Sequence, residues 1–167
     1  MNILVVGESC CDIFNYGNCN RLCPEAPVPV FNSVESAKGG GMAMNVKTNL
    51  ESLAMHPLTD RPVDVSVHTN SNWEEITKTR FIDIKTNHMF MRLDCNDASY
   101  GKSNVEDIDF KKYDGIVISD YDKGFLSPED IRFITSRHDC VFLDTKKLLG
   151  DWCLGARFIK ININEFK

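Results

Sequence analysis

Apolar and polar positions along this chain follow two rhythms. In the first, short continuous apolar runs stand at Ile3-Leu4-Val5-Val6, Ile116-Val117-Ile118, Val141-Phe142-Leu143 and Phe158-Ile159-Lys160-Ile161. Such runs predict strands buried on both faces, as at the centre of a parallel sheet. Each is followed by a glycine or polar cluster: Gly7-Glu8, then Ser119-Asp120-Tyr121-Asp122-Lys123-Gly124, Asp144-Thr145-Lys146 and Asn162-Ile163-Asn164-Glu165. Asp12 then lies just past the first strand's carboxyl end, where open α/β sheets bind ligands. The alternative is that it only caps a turn.

Between the runs the period becomes helical. Met42, Val46, Leu50 and Leu53 fall at three- and four-residue steps, predicting a helix to about Met55 with one buried stripe. Lys38-Gly39-Gly40-Gly41 precedes it, and glycines at a helix start leave backbone N–H groups open to an anion or hydroxyl, with Asn45 one turn in. A flexible glycine turn is the other reading. Ser127-Pro128-Glu129-Asp130 carries the cap, proline and acids of a helix start, and that helix runs to about Arg137. Strand–helix–strand alternation with short links predicts an α/β fold with a mostly parallel, doubly wound sheet and right-handed crossovers.

The second rhythm is strict alternation. It marks Val28, Val30 and Val34, then Val63, Val65 and Val67, then Ile82 and Ile84, and finally Met89, Met91 and Leu93, with Phe90, Arg92 and Asp94 on the opposite face. Pro24, Pro27 and Pro29 confine their segment to an edge strand or extended arm, and Lys85-Thr86-Asn87-His88 predicts a turn with Asn87 at positive φ. These pieces predict a small antiparallel β lid, with strands from about 26–35 and 78–94. His56-Pro57 ends the first helix and opens a loop to Pro62, and the polar stretch 96–112 also reads as a loop.

With 167 residues, 43% of them hydrophobic, the chain predicts one domain over 1–167. A net charge of −5 argues against a nucleic-acid partner. No apolar run reaches membrane-spanning length, and the first residues lack the basic lead of a signal peptide, which predicts a cytoplasmic protein. Seven cysteines read as reduced thiols; a metal set from Cys10, Cys11, Cys19 and Cys23 lacks the paired spacing of zinc modules.

Read together, Gly7-Glu8 with Asp12, Pro24-Glu25-Ala26-Pro27-Val28-Pro29-Val30, Gly40-Gly41 with Asn45, Arg92-Leu93-Asp94, Ser119-Asp120-Tyr121-Asp122-Lys123-Gly124, Asp144-Thr145-Lys146 and Asn162-Ile163-Asn164-Glu165 resemble the ribokinase or PfkB family of carbohydrate kinases. The proline-spaced stretch and the Ser-Asp-Tyr motif are most similar to the heptose-7-phosphate kinase domains of that family. The resemblance implies a ribokinase-like fold and a phosphotransferase acting on an alcohol group with ATP and Mg2+. It implies substrate-binding roles for Asp12, Gly40, Gly41, Asn45, Arg92 and Asp120. It sets Lys123, Lys146, Asn162 and Glu165 on the nucleotide and phosphate side, with Glu165 reaching the metal through water. Arg21, Lys38, Arg80 and Arg92 are the candidate cations for a substrate phosphate.

The departures are as informative. Family members continue beyond this length and carry a Gly-x-Gly-Asp motif whose aspartate is the base; the 167 residues contain none. The segment between Met55 and Thr77 is short for the family, and the glycine cluster has an extra Gly and a Met. The expectation is therefore a truncated, sugar-binding portion that is inactive alone and has no catalytic residue of its own, with a homodimer formed through the lid or the exposed sheet edge. The other reading is a non-catalytic sugar-phosphate-binding or dimeric interaction module derived from such a kinase; a flavodoxin-like binder is a third.

Overall fold

A computed structural model of the chain describes residues 1–55 and 62–163. It contains β1 (Asn2–Gly7), β2 (Ser9–Leu22), β3 (Pro29–Met42), α1 (Ala43–Ala54), β4 (Asp64–His68), β5 (Thr77–Asp83), β6 (Met89–Cys95), β7 (Gly115–Asp120), α2 (Pro128–Arg137), β8 (Val141–Thr145) and β9 (Phe158–Lys160). Short 3-10 turns stand at Val105–Asp107, Phe110–Lys112 and Asp151–Cys153.

Two sheets result. The first is parallel throughout, in the order β4-β1-β7-β8-β9. The runs of β1 and β7 are buried because both faces are covered, whereas Phe142 of β8 and the whole of β9, expected as a buried run, are exposed because β9 is the last strand on that edge. Leu4, Val6, Ile116 and Ile118 pack with Ile131 and Ile134 of α2, while Val5 and Val65 pack with Ala43 of α1, with Val46, Leu50 and Val117 around them. Ser127 caps α2 reciprocally: its hydroxyl accepts the Asp130 N–H at 3.1 Å, and the Asp130 carboxylate accepts the Ser127 N–H at 2.8 Å. The parallel, doubly wound sheet read from the sequence is thus present. The stripe on α1 is shorter than expected, since Leu53 is exposed.

The second sheet, in the order β3-β2-β5-β6, differs from the expected lid in three respects. It is mixed rather than antiparallel: β2 pairs antiparallel with β3 but parallel with β5, which pairs antiparallel with β6. Its central strand β2 carries Asp12, so that residue lies within a lid strand and not in a loop past β1. The strand expected near 26–35 runs Pro29–Met42 and includes the three glycines, which therefore do not precede α1 as a loop. The physical reason is pairing: β2 donates and accepts along the whole glycine stretch, with Cys10 opposite Gly41 and Asp12 opposite Gly39. The proline-bearing strand does lie at the edge, and Asn87 turns β5 into β6 at φ 57°. The loop expected over 56–61 falls outside the described residues.

One residue separates the sheets. Gly7 ends β1, Ser9 begins β2, and a Cβ on Gly7 would stand 2.0 Å from the Ser119 carbonyl oxygen of the neighbouring strand. Only glycine fits there without parting β1 from β7. Gly7→Ala is expected to destabilise the chain by at least ~2 kcal/mol in urea unfolding, because the clash is with backbone and cannot be relieved by a rotamer.

Candidate functional site

The carboxyl ends of β7 and β8 face the lid across a cavity of about 310 Å3, near the small end of the ~300–1,000 Å3 usual for ligand sites. Its walls come from β2 (Cys10, Asp12), the start of α1 (Met42, Asn45), β5 (Lys78, Arg80), β6 (Arg92), the chain leaving β6 (Asp97) and the ends of the parallel sheet (Tyr121, Lys123, Lys146). Five cations thus face two carboxylates in a chain whose net charge is −5. A larger groove of about 530 Å3 lies between α2 and the turn Asp151–Cys153, over Phe133 and Trp152, and gathers no comparable set of charges.

The lining segments are held together by Glu8. Its side chain is fully buried, and its two carboxylate oxygens accept the backbone N–H groups of Tyr121 at 2.9 Å and Lys123 at 3.0 Å. The Glu8 carbonyl accepts the Ala43 N–H at 2.9 Å, and the Ser9 hydroxyl accepts the Met44 N–H at 3.2 Å. These two bonds cap α1, whose N-terminal residue Met42 sits at φ 58° with no side-chain cap of its own. The same short turn thereby aims Asn45, Tyr121 and Lys123 at one space.

Asp12 projects from β2 into the cavity beside Gly41, where a Cβ would come within 2.5 Å of its carboxylate. Arg80 donates to Asp12 at 2.6 Å and to the Lys78 carbonyl at 3.3 Å, and its guanidinium lies over the Phe14 ring at 4.9 Å. Arg92 is held by Asp94 through two N–H donors, the Nε bond being 2.6 Å. The Arg92 hydrogen bond is the main reason that the Asp94 carboxyl is lowered to about 2, against an opposing effect of burial and with Lys78 adding to the lowering. Asp97 accepts from Lys78, from Lys123 at 2.7 Å and from the Tyr100 hydroxyl at 2.7 Å. Burial works against its charge, but these donors outweigh it and hold the carboxyl well below the usual carboxylate range. Lys146 lies over the Tyr121 ring at 4.6 Å. Burial, reinforced by Asp12, pushes the Cys10 thiol up to about 11, so it stays protonated at neutral pH.

Of the residues singled out in the sequence, Asp12, Asn45, Arg92, Lys123 and Lys146 line this cavity together, and Gly41 abuts Asp12. Gly40 instead lines a neighbouring groove with Lys38, Cys11 and Trp73. Asp120 is not among the residues that line the cavity: it is 2% exposed and accepts from the Thr145 hydroxyl and from Lys147 at 2.7 Å. Asn162 follows β9 and is absent from the cavity wall, while Glu165 lies outside the described residues. Of the four candidate phosphate cations, Arg80 and Arg92 are at the cavity, whereas Arg21 is near the far end of β2 and Lys38 lines the other groove. Sequence reasoning missed Lys78, Tyr121 and Asp97. Lys78 and Arg80 share the face of β5 that carries Asp12's partners, a period-two signal that could have found Lys78. Asp97 sits in irregular chain and had none.

Among the described residues no group of three or more His, Cys, Asp or Glu is gathered for a metal ion, and all seven cysteines are free. Among the described residues, too, no helix is long and apolar enough to cross a membrane.

Comparison with known proteins agrees with this architecture. No family model matches the chain. The fold is that of ribokinase from Thermotoga maritima (TM-score 0.58, 14% identity, 98% of this chain and 60% of that one) and of Arabidopsis thaliana ribokinase complexed with ribose and ATP (TM-score 0.55, 10% identity, 98% and 60%). The chain therefore has the ribokinase, or PfkB-family, fold. Within that class it is a distant homologue of the bifunctional protein HldE: the Nitratiruptor sp. protein is 30% identical over 188 residues, covering 98% of this chain and 40% of that protein. The chain spans about 40% of the length of the curated relatives it matches.

The acid side of the site gives a pH prediction. Asp94 has a folded-state pKa of about 2 against an ordinary 3.8, so its ion pairs stabilise the fold above pH 3.8 and lose that effect as pH falls toward 2. The stability difference between wild type and Asp94→Asn, from urea titrations, should be constant from pH 7 to about 4 and shrink below it.

Proposed function

We propose that this chain is the sugar-binding part of a carbohydrate kinase that acts on a phosphorylated sugar, of the heptose 7-phosphate type, and that these residues do not phosphorylate it by themselves. The observation that carries the reading is the cavity: a carboxylate and an amide able to take sugar hydroxyls, Asp12 and Asn45, share one small space with five cations. A polyol alone has no use for so many cations, and a bare anion has none for Asp12. Phosphoryl transfer depends mainly on positioning and charge neutralisation, and the lysines at the ends of β7 and β8 suit the second task. ATP and Mg2+ would supply the phosphoryl group and its charge compensation. What the 167 residues lack is a Gly-x-Gly-Asp base and anion hole, without which a positioned sugar hydroxyl keeps its proton. The reading takes the chain as one ribokinase-like unit in a reducing, cytoplasmic setting, in keeping with its free thiols.

The test is a thermal-shift titration with heptose and hexose phosphates, and with MgATP, joined to a coupled ATPase assay. A sugar phosphate at about 100 times its Kd should stabilise the chain by ~2.7 kcal/mol. Asp12→Asn should weaken that binding by about tenfold or more, through loss of charge-assisted hydrogen bonds. Sugar-dependent ATP turnover by the chain alone would overturn the second half of the reading, and silence toward every sugar phosphate the first.

A dimer belongs to the same reading. Met89, Met91 and Leu93 of β6 are all about half exposed, on a strand that forms one edge of the lid, and Val34 of β3 is exposed as well. Pairing with a second copy would cover this edge. Light scattering at micromolar concentration should report twice the chain mass, and a monodisperse monomer would remove the dimer from the proposal.

A further inference from the structure

Two of the cavity's cations are held by one carboxylate, and the way they are held bears on which anions the site admits. Asp97 lies in the irregular chain that follows β6. Lys78 reaches it from β5 of the lid, Lys123 reaches it at 2.7 Å from the loop after β7, and the buried Tyr100 donates at 2.7 Å from below. Among the ion pairs of the described residues, that of Lys123 with Asp97 links the loops of the parallel sheet to the chain leaving the lid. Lys78 has a further acceptor in Asp94 at 3.3 Å, and its side chain is only 10% exposed. Asp97 itself faces the cavity.

Resting on the sugar-phosphate reading, we propose that Asp97 is a specificity-determining residue: its carboxylate occupies Lys78 and Lys123 and repels a free anion, so that the cavity retains only ligands joining a phosphate to hydroxyls. A phosphate arriving alone must displace two charge-assisted hydrogen bonds and lie close to a fixed negative charge. It gains little from Asp12, a carboxylate that needs hydroxyl donors to pair with. A phosphorylated polyol meets this opposition but offsets it, because its hydroxyls can donate to Asp97 itself as well as to Asp12, so its margin over free phosphate is wider with Asp97 than without it. Specificity is a difference of affinities, and Asp97 lowers the unwanted one more than the wanted one.

A purely structural tie between lid and sheet makes the opposite forecast, since cutting it would loosen the cavity and weaken every ligand. The deciding experiment is calorimetric titration of wild type and Asp97→Asn with inorganic phosphate and with ribose 5-phosphate, each at low and moderate salt. Asp97→Asn should bind inorganic phosphate about tenfold more tightly than wild type, the effect of one partly exposed charge a few ångströms away. The gain should fade with salt. The preference for the sugar phosphate over phosphate should fall in the variant. Phosphate binding measurable only in the variant supports the proposal. Phosphate binding that is equal, weaker or absent in both proteins overturns it. If Asp97→Asn does not fold, Asp97→Ser takes its place in the same titrations; a chain that folds with neither assigns Asp97 to stability and also overturns the proposal. The phosphate comparison involves no sugar, so a wild-type chain that binds no sugar phosphate defeats the function proposed above without deciding the role of Asp97.

Discussion

The structure depends on a carboxylate out of reach of water. Glu8 is the single residue between the parallel sheet and the lid, and both of its oxygens are taken by backbone N–H groups of Tyr121 and Lys123. A buried carboxylate without such donors would cost several kcal/mol, so the loop after β7 is not free to drift from the β1–β2 junction. Because Gly7 stands flush against Ser119, the junction cannot slide along β7 either. The Glu8 carbonyl then receives the first N–H of α1. One residue thereby fixes three cavity-lining segments relative to each other, and the lid is registered on the sheet by covalent continuity and by these bonds together.

The charges follow from that frame. Cations from the lid (Lys78, Arg80, Arg92) and from the parallel sheet (Lys123, Lys146) are brought to one small space, where their mutual repulsion would oppose closure. Asp12 and Asp97, with Asp94 behind Arg92, relieve it in the absence of any ligand. Preorganisation of this kind has a cost for binding, because an incoming anion must compete with carboxylates already in place. It also means that the cavity can stay assembled while empty, which a bare cluster of cations could not. Ligand binding at such a site is an exchange of partners.

Much of this architecture could be read from sequence, and the failures share a cause. The runs at Ile3–Val6 and Ile116–Ile118 are legible because both faces of their sheet are covered, so burial leaves no polar alternation. The cap of α2 is legible because it is local: Ser127, Pro128 and Asp130 are sequence neighbours. The strand β2 was not read as one because Ser9-Cys10-Cys11-Asp12 and the Asn-rich stretch after it have neither an apolar run nor a clean alternation. It is a strand because β3 and β5 pair with it on both sides, a tertiary fact. The glycines of β3 look like a loop for the same reason: their lack of side chains serves a close approach to Asp12 and Met44 that no local pattern announces. Asp97 was invisible because its significance lies in three donors from distant segments.

The Ser-Asp-Tyr-Asp-Lys-Gly motif shows how a resemblance can be right about place and different in division of labour. Asp120, the residue in it most readily credited with chemistry, is not among the cavity-lining residues and holds the loop through Lys147, which also reaches Asp122 at 2.9 Å. Its second contribution is to accept the Asp122 N–H at 3.1 Å, holding Asp122 at φ 57°, where a non-glycine residue needs local support. Gly124 follows at φ 90°. The left-handed Asp122 lies between Tyr121 and Lys123, whose N–H groups, two residues apart, both point at Glu8 while their side chains go to the cavity. In this chain the motif therefore presents backbone donors inward to a buried carboxylate, and an aromatic ring and a lysine outward to the cavity. Its acidic members are the supports that make this arrangement possible.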